Sequence, residues 1–392
     1  MPTTVLLSGT RTPHGRLLGG LSDVSPVALG QTVVDDVLAR ADCPPERIDW
    51  VNLGNAIQAG IGQAPARQVT IGSSLPDETA ATTVNEASGS GMRAITLAAD
   101  RIEAGEISFA IAGGFESMSR APGIFPQYRT GRRHGHSEIL DSMILDALWD
   151  HSLDVHMGEI AERLVDRVGE RYDLSRAAQD RYALKSHRRA ATAQDSGDFE
   201  SELVPVETPS GHVDEDEGIR PESTIEDLGA LSPAFRAEGT VTAGNASSLA
   251  DGAGVVVLAS QDAAREAGMN PMLELVDTQV SYRAPEEFNE AVGDALDRLL
   301  LANDLAVDDV DAYWINEAFA AQAVYVRDRL EIPEDRFNPL GGAVAFGHPI
   351  GASGGMLVAS LAFQLQESDE NLGIVGMSIG GGGAIMSLWR RP

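Results

Sequence analysis

The sequence predicts an α/β protein made of two similar halves, with a long segment inserted in the first, and three observations carry that prediction. Apolar runs of strand length alternate with stretches of helical period along the chain, the pattern of helices layered on sheets. A loop–helix–strand–glycine-turn order occurs twice, in "NEASGSGMRAITLAADRIEAGEISFAIAGGFES" and in "GHPIGASGGMLVASLAFQLQESDENLGIVGMSIGGGGA", and "RIDWVNLGNAIQAG" is similarly matched by "DVDAYWINEAFAAQ". Two copies of one half are therefore expected, with a site at their junction that receives loops from both. Between them, residues 119–250 break the pattern with arginine, histidine and acid-rich stretches such as "RTGRRHGHSEI" and "ETPSGHVDEDEGIRPEST".

Taken in order, "TTVLLSG" and "WVNLG" read as strands. "SPVALGQTVVDDVLARA" reads as a helix, with apolar positions three and four apart and Pro26 in its first turn. "FAIAGG" and "GIVGMSIGGG" are near-continuous apolar runs, as buried strands require. Within the insertion, "HMGEIAERLVDRVGERYDLSRAAQDRYALKSHRRAATAQ" reads as helix. The insertion is either a lid over one face of the core or a solvated outgrowth. The expected division is a first half of 1–118 and 251–268, an inserted domain of 119–250 and a second half of 269–392.

Composition narrows the function classes. The 392 residues suffice for two or three core-sized units. No apolar run approaches the ~20 residues that span a bilayer, and the opening stretch lacks the basic and apolar regions of a signal peptide, so a soluble, cytoplasmic protein is expected. The single cysteine, Cys43, rules out an intrachain disulfide and a thiolate metal cluster. Acidic residues number 59 against 29 basic, a net charge of −30, and only one of the basic residues, Lys185, is a lysine. The acids are spread along the chain, which disfavours nucleic acid as a partner. Such a coat suits concentrated salt, where at ~1 M the Debye length is only ~3 Å and self-repulsion is screened. A halophilic cytoplasm is the expectation.

Four short stretches can carry chemistry. Ser88, in "NEASGSGMRAI", precedes a helix whose amides and dipole would stabilise an oxyanion, so it is either a nucleophile or, with Ser90, a cap of that helix. His348 lies in "NPLGGAVAFGHPIGASGG", in a glycine- and proline-stiffened loop suited to a base near neutral pH. "GASGG" around Ser353 matches a hydrolase elbow, but His348 is the last histidine and the required later histidine is absent. Asn316, in "WINEAFA", follows a strand and can bond a carbonyl oxygen or hold a water. Ser378, in "MSIGGGG", precedes a turn whose amides can form an oxyanion nest.

Together these stretches resemble the thiolases, the acetyl-CoA acetyltransferase and 3-ketoacyl-CoA thiolase group, over essentially the whole chain. "RTPHGRLLGGL", "GGFESMS", "HMGEIAE", "GTVTAGNASSLADGA", "NEAF", "GGAVAFGHPIGASGG" and "SIGGGG" stand in the family's order. The resemblance implies a five-layered α-β-α-β-α core of two pseudo-symmetric halves with an inserted loop domain, and a dimer or tetramer; a need for a second small subunit stays open. It implies acyl-CoA and CoA as substrates, no tightly bound cofactor and no metal. His348 and Asn316 match the family's base and water-holding asparagine. Ser88 and Ser378 stand where thiolases carry a nucleophilic and an acid/base cysteine, and Cys43 matches neither place. For CoA, His156 and Met157 match the covering "HMG" loop, Arg220 an arginine beside the nucleotide, Ser247 a pantetheine contact, and Phe319 the "NEAF" phenylalanine. The basic residue usual just before "RPAF" is missing from "GALSPAF".

A free thiol, with pKa ~8.5, is partly ionised near neutrality and a hydroxyl is not, so Ser88 needs His348 to take its proton. Amides at Ser88 and Gly380 would then hold the oxyanion. Three readings of the serines stand side by side: an active enzyme with an acyl-serine intermediate, a non-catalytic subunit that binds acyl-CoA or a partner, and an engineered trapping substitution.

Overall fold

The computed structural model describes residues 2–392. The first half contributes strands β1 (Thr4–Arg11), β2 (Trp50–Gly54), β3 (Ala80–Val84), β4 (Phe109–Ser117) and β5 (Ala250–Ser260), with helices α1 (Pro26–Arg40), α2 (Pro65–Gly72) and α3 (Ser90–Glu103). Residues between β4 and β5 hold α4 (Met157–Tyr172) and α5 (Arg176–Ser196). The second half contributes β6 (Leu273–Tyr282), β7 (Ala312–Ile315), β8 (Leu372–Ile379) and β9 (Gly383–Arg390), with α6 (Phe288–Ala302), α7 (Ala320–Arg329) and α8 (Ser353–Glu367).

The strands run in the order β7-β8-β9-β6-β1-β5-β4-β2-β3. The two halves meet where β1 pairs antiparallel with β6 through Val5–Glu274 and Leu6–Leu273. Side-chain alternation along the strands builds the layers. Val255 and Val257 of β5 point to α1, whereas Val256 and Leu258 point to the opposite face and meet α3 and α8. On the far side of the second sheet, Met386 and Leu388 of β9 pack on α6 and α7. The result is α1/α2, first sheet, α3/α8, second sheet, α6/α7: a five-layered α-β-α-β-α core.

The duplication is visible atom by atom. Asp49, ahead of β2, accepts the amides of Ser108 (2.8 Å) and Phe109 (3.0 Å) where β4 begins. Asp311, ahead of β7, accepts those of Asn371 (2.9 Å) and Leu372 (3.0 Å) where β8 begins. These two aspartates are aligned in the repeated stretches read above.

Close packing of the two central helices positions the site. A Cβ on Gly354 would stand 2.2 Å from Met92 N, and one on Gly91 2.9 Å from the Gly351 carbonyl. Glycine at both helix starts lets the backbones touch, and the loops that lead into α3 and α8 are thereby brought face to face.

Candidate active site

Ser88 sits in a hydrogen-bonded knot between β3 and α3. The Ala87 amide donates to Asn85 Oδ1 (3.1 Å), the Glu86 amide to Ser90 Oγ (2.9 Å), and the Ser90 hydroxyl to the Ala87 carbonyl (2.6 Å). The knot holds Ala87 at φ +48°, left-handed backbone that costs a non-glycine residue on the order of 1 kcal/mol. Helix α3 begins with Gly89 in the cap position and no side chain on its first amides. Capping therefore explains neither serine. The Ser88 hydroxyl instead meets His348 Nε2 at 3.0 Å.

His348 follows Gly347, whose φ of +105° and close approach to Ala250 require a residue without a side chain. The histidine amide donates to the Ser248 carbonyl at 2.9 Å, and the ring is buried. Its Nδ1 lies 2.6 Å from Ser353 Oγ. The single hydroxyl hydrogen of Ser353 has the Pro349 carbonyl at 3.2 Å as its acceptor. The Asn316 amide nitrogen lies 3.4 Å from Nε2. With Ser353 donating to the Pro349 carbonyl and the Asn316 amide nitrogen able only to donate, these contacts fit a ring proton on Nδ1 and an Nε2 lone pair facing Ser88. Burial, with a smaller contribution from His14, lowers the ring's pKa to about 4. The imidazole is thus neutral at pH 7: free to accept a proton, but a weak base.

Asn316 follows β7, with its amide on the Gly376 carbonyl at 2.8 Å. Its neighbour Glu317 is buried and accepts from Tyr182 (2.7 Å), Ser186 (2.8 Å), Asn338 (3.0 Å) and the Val344 amide (3.0 Å). Helix α5 thereby fastens the Asn316 loop. Ser378 Oγ reaches Gln322 Oε1 at 3.4 Å, and the Gln322 amide nitrogen reaches the Asn316 carbonyl at 3.4 Å. Ser88, His348, Ser378 and Gly380 line one cavity of about 60 Å³, together with Met157, Ser247 and Phe319.

Three expected residues stand apart from that cavity. Asn316 lines a second one, of about 20 Å³, together with Ser353. His156 caps α4 by accepting the Gly158 amide (3.1 Å) and stacks on Phe235 with ring centroids 4.7 Å apart. Arg220 is exposed, and its backbone amide donates to His187 Nδ1 at 3.2 Å. A groove of about 910 Å³ along α5 contains none of these residues.

Sequence reading missed several supports. Ser353, dismissed as a false elbow, is the partner of His348 Nδ1. Its helix follows a loop rather than a strand, so the strand–turn–helix setting of an elbow is absent as well. Glu116, at the end of β4, accepts the amides of Ala56 (2.9 Å) and Gly351 (3.0 Å) and the Asn55 side chain (2.8 Å). It ties the His348 loop to the first half, and burial pushes its carboxyl up to about 7. An acid inside the apolar run "FAIAGGFES" was the available signal. Cys43 is buried under α1, where desolvation raises its thiol to about 11. Among the described residues no group of three or more His, Cys, Asp or Glu is arranged to hold a metal, and no helix is long and apolar enough to cross a membrane.

The two-half, five-layered core, with loops of both halves meeting between its central helices, is the thiolase fold. Residues 4–262 match the model of the thiolase N-terminal domain and residues 269–391 that of the thiolase C-terminal domain; the chain belongs to the thiolase family. A protein of Staphylococcus epidermidis described as a probable acetyl-CoA acyltransferase is 41% identical over 393 residues, covering 99% of this chain and 98% of its own. A Staphylococcus aureus protein of the same description is 39% identical, covering 99% of each chain. The crystal structure of the Bacillus anthracis acetyl-CoA acetyltransferase superposes with a TM-score of 0.96 at 35% identity, covering 100% of this chain and 99% of that one.

Proposed function

We propose that the chain catalyses acyl transfer between CoA thioesters, the Claisen condensation of two acyl-CoA molecules to a 3-ketoacyl-CoA and its reverse, through an acyl-serine at Ser88. The observation that supports this most directly is the 3.0 Å contact between Ser88 Oγ and His348 Nε2.

In the first half-reaction Ser88 Oγ attacks the thioester carbonyl while its proton passes to His348 Nε2. Because that ring is a weak base, proton transfer accompanies bond formation rather than preceding it. Amides of Ser88 and Gly380 stabilise the oxyanion, and CoA leaves with the proton. In the second half-reaction the Asn316 side chain, through a water, and His348 polarise the incoming acetyl-CoA carbonyl. Ser378 orients a water. His348 Nε2 first takes the α-proton that the family's second cysteine would take and then, carrying it, bonds the enolate oxygen. The α-carbon attacks the acyl carbon, the Ser88 ester C–O bond breaks, and the proton returns to Ser88 Oγ. Met157, Ser247 and Phe319 contact the pantetheine arm, with His156 holding the Met157 turn and Arg220 at the nucleotide end. The inserted domain, 119–250, covers CoA. The enzyme works as a homodimer or homotetramer in a salt-rich cytoplasm.

Incubation with acetyl-CoA in high salt, followed by intact-protein mass and peptide mapping, tests this reading. An added acetyl group on Ser88, absent from Ser88→Ala, is the expected result; turnover with no adduct at Ser88, or no adduct and no turnover, overturns it.

A further inference from the structure

Directly behind the catalytic pair lies a second buried acid–base unit that the reaction as drawn does not use. His14 follows β1 in "RTPHG". Its backbone amide and its Nδ1 both meet Asp216 Oδ1, at 2.7 and 3.0 Å, and its ring stacks on Phe346 with centroids 5.4 Å apart. Arg11 holds the same carboxylate with two bonds, Nη1 to Oδ1 (2.8 Å) and Nη2 to Oδ2 (3.0 Å). Burial alone would raise Asp216, but Arg11 and His14 hold it below the usual carboxylate range. Arg11 Nη1 also passes 3.3 Å from His14 Nδ1, yet its two hydrogens are directed to Asp216 and the Thr12 carbonyl. Nδ1 is therefore the donor to Asp216, and Nε2 is left as an acceptor. Among the described residues no protein group bonds that Nε2.

The cavity of about 20 Å³ is lined by His14, Ser353, Asn316, Trp314 and Ser360. Its walls are otherwise mostly apolar, with Ala343, Phe346, Met356 and Leu357. A space of that size holds one water, ~10–15 Å³, only where two or more polar partners meet it, and Ser353 Oγ and His14 Nε2 are the two offered here. Resting on the reading of His348 as the base for Ser88, we propose that His14, backed by Asp216, is a positioning residue that acts through Ser353, with a cavity water joining Ser353 Oγ to His14 Nε2 so that the proton taken from Ser88 is shared beyond His348.

The transfer balances. As the Ser88 O–H bond breaks, His348 Nε2–H forms. Nδ1–H passes to Ser353 Oγ as the Ser353 hydrogen turns from the Pro349 carbonyl to the water, and a water hydrogen passes to His14 Nε2. Serine and water end with the hydrogens they began with, and one proton has moved from Ser88 to His14. His348 ends neutral with its proton on Nε2, the form that donates to a thioester oxygen. Burial lowers His14 below the ordinary imidazole range, and Asp216, bonded to its Nδ1, opposes that and meets the charge. Arg11 and the His348 ring are the cationic or titrating groups that oppose it, and Glu202, on the far side of Arg11, offsets Arg11. The arrangement answers the difficulty of a serine nucleophile: no carboxylate stands behind His348 itself, and one is supplied a water further back.

Rates of Ser88 acetylation across pH, read by quenched intact mass for the wild type and His14→Gln, test the proposal. Expected for His14→Gln is a drop of at least tenfold with an altered acidic limb and little change in the acetyl-CoA concentration for half-saturation. An unchanged rate and profile overturn the relay while leaving the Ser88 assignment standing. Failure of the wild type to acquire an acetyl group sinks the Ser88 assignment instead, and ¹⁵N imidazole spectra then decide the relay: His348 signals that shift with His14→Gln support it, and signals that do not move overturn it. Should His14→Gln fail to fold, the proton inventory of wild-type acetylation in H₂O–D₂O mixtures is read, a curved plot supporting several protons in motion and a straight one excluding them.

Discussion

At the scale of single residues, the demanding feature is a hydroxyl facing a base whose pKa is held at about 4. A thiol at the same place would give up its proton far more readily. Ser88→Cys is therefore expected to react faster than the wild type in single-turnover acetylation and to become sensitive to iodoacetamide. The wild type is expected to resist that reagent, because its only thiol, Cys43, is buried and shifted to about 11; rapid loss of activity with Cys43 alkylated would contradict the placement. His348→Gln removes the proton acceptor and is expected to slow acetylation by ~10²–10⁴-fold. The pH dependence has a definite sign. The ring must be neutral to act, so single-turnover rates hold down to mildly acidic pH and fall as pH drops through about 4. A fall centred near 6.5 would mean the ring is not desolvated as described. An acyl-serine also lies below a thioester in transfer potential. Loading from acyl-CoA is downhill and return to CoA uphill, so initial rates should favour condensation over thiolysis, and the reverse ranking would count against an oxyester intermediate.

At the scale of elements, the site depends on how closely α3 and α8 approach. Gly354→Ala puts a methyl group 2.2 Å from Met92 N, a clash with backbone that can only be relieved by moving a helix. Such overpacking is expected to cost ~1–3 kcal/mol in urea unfolding and to lower acetylation more than it lowers stability, since any separation of the helices lengthens the Ser88–His348 contact. Equal activity in a destabilised variant would show that the two loops are held by something else. Glu116 is the obvious other brace, since it bonds the Ala56 and Gly351 amides across the two halves. Its folded pKa of about 7 lies above the ordinary 4.5, so the folded chain binds the extra proton between those values and this group's contribution falls as pH rises through that window. Elements were the most legible level of the sequence. The strand "WVNLG", the helix over 26–40 and the repeated Asp49 and Asp311 all follow from period and repeat, because each is written in a window of a dozen residues.

At the scale of the whole molecule, a charge of −30 with one lysine dominates. At ~0.1 M salt the Debye length is ~10 Å, enough for neighbouring surface carboxylates to repel one another and the CoA phosphates. Activity and melting temperature are both expected to rise between ~0.1 and ~2 M KCl as that length shrinks toward the contact distance; an optimum at low salt would reject the halophilic reading. By itself the sequence determined the layered α/β class, the two halves, the inserted segment and the residue types in the loops that form the candidate site. These follow from hydrophobic period and ordered motifs, which are local. Only the tertiary structure decided that Ser88 is not a cap, that Ser353 meets Nδ1 of His348, and that His14, Asp216 and Arg11 stand behind them. Ser88 and His348 are 260 positions apart, and His14 and Asp216 are 202 apart. Contacts of that span are fixed by how two glycine-edged helices and a sheet close-pack, which no stretch of the chain records on its own.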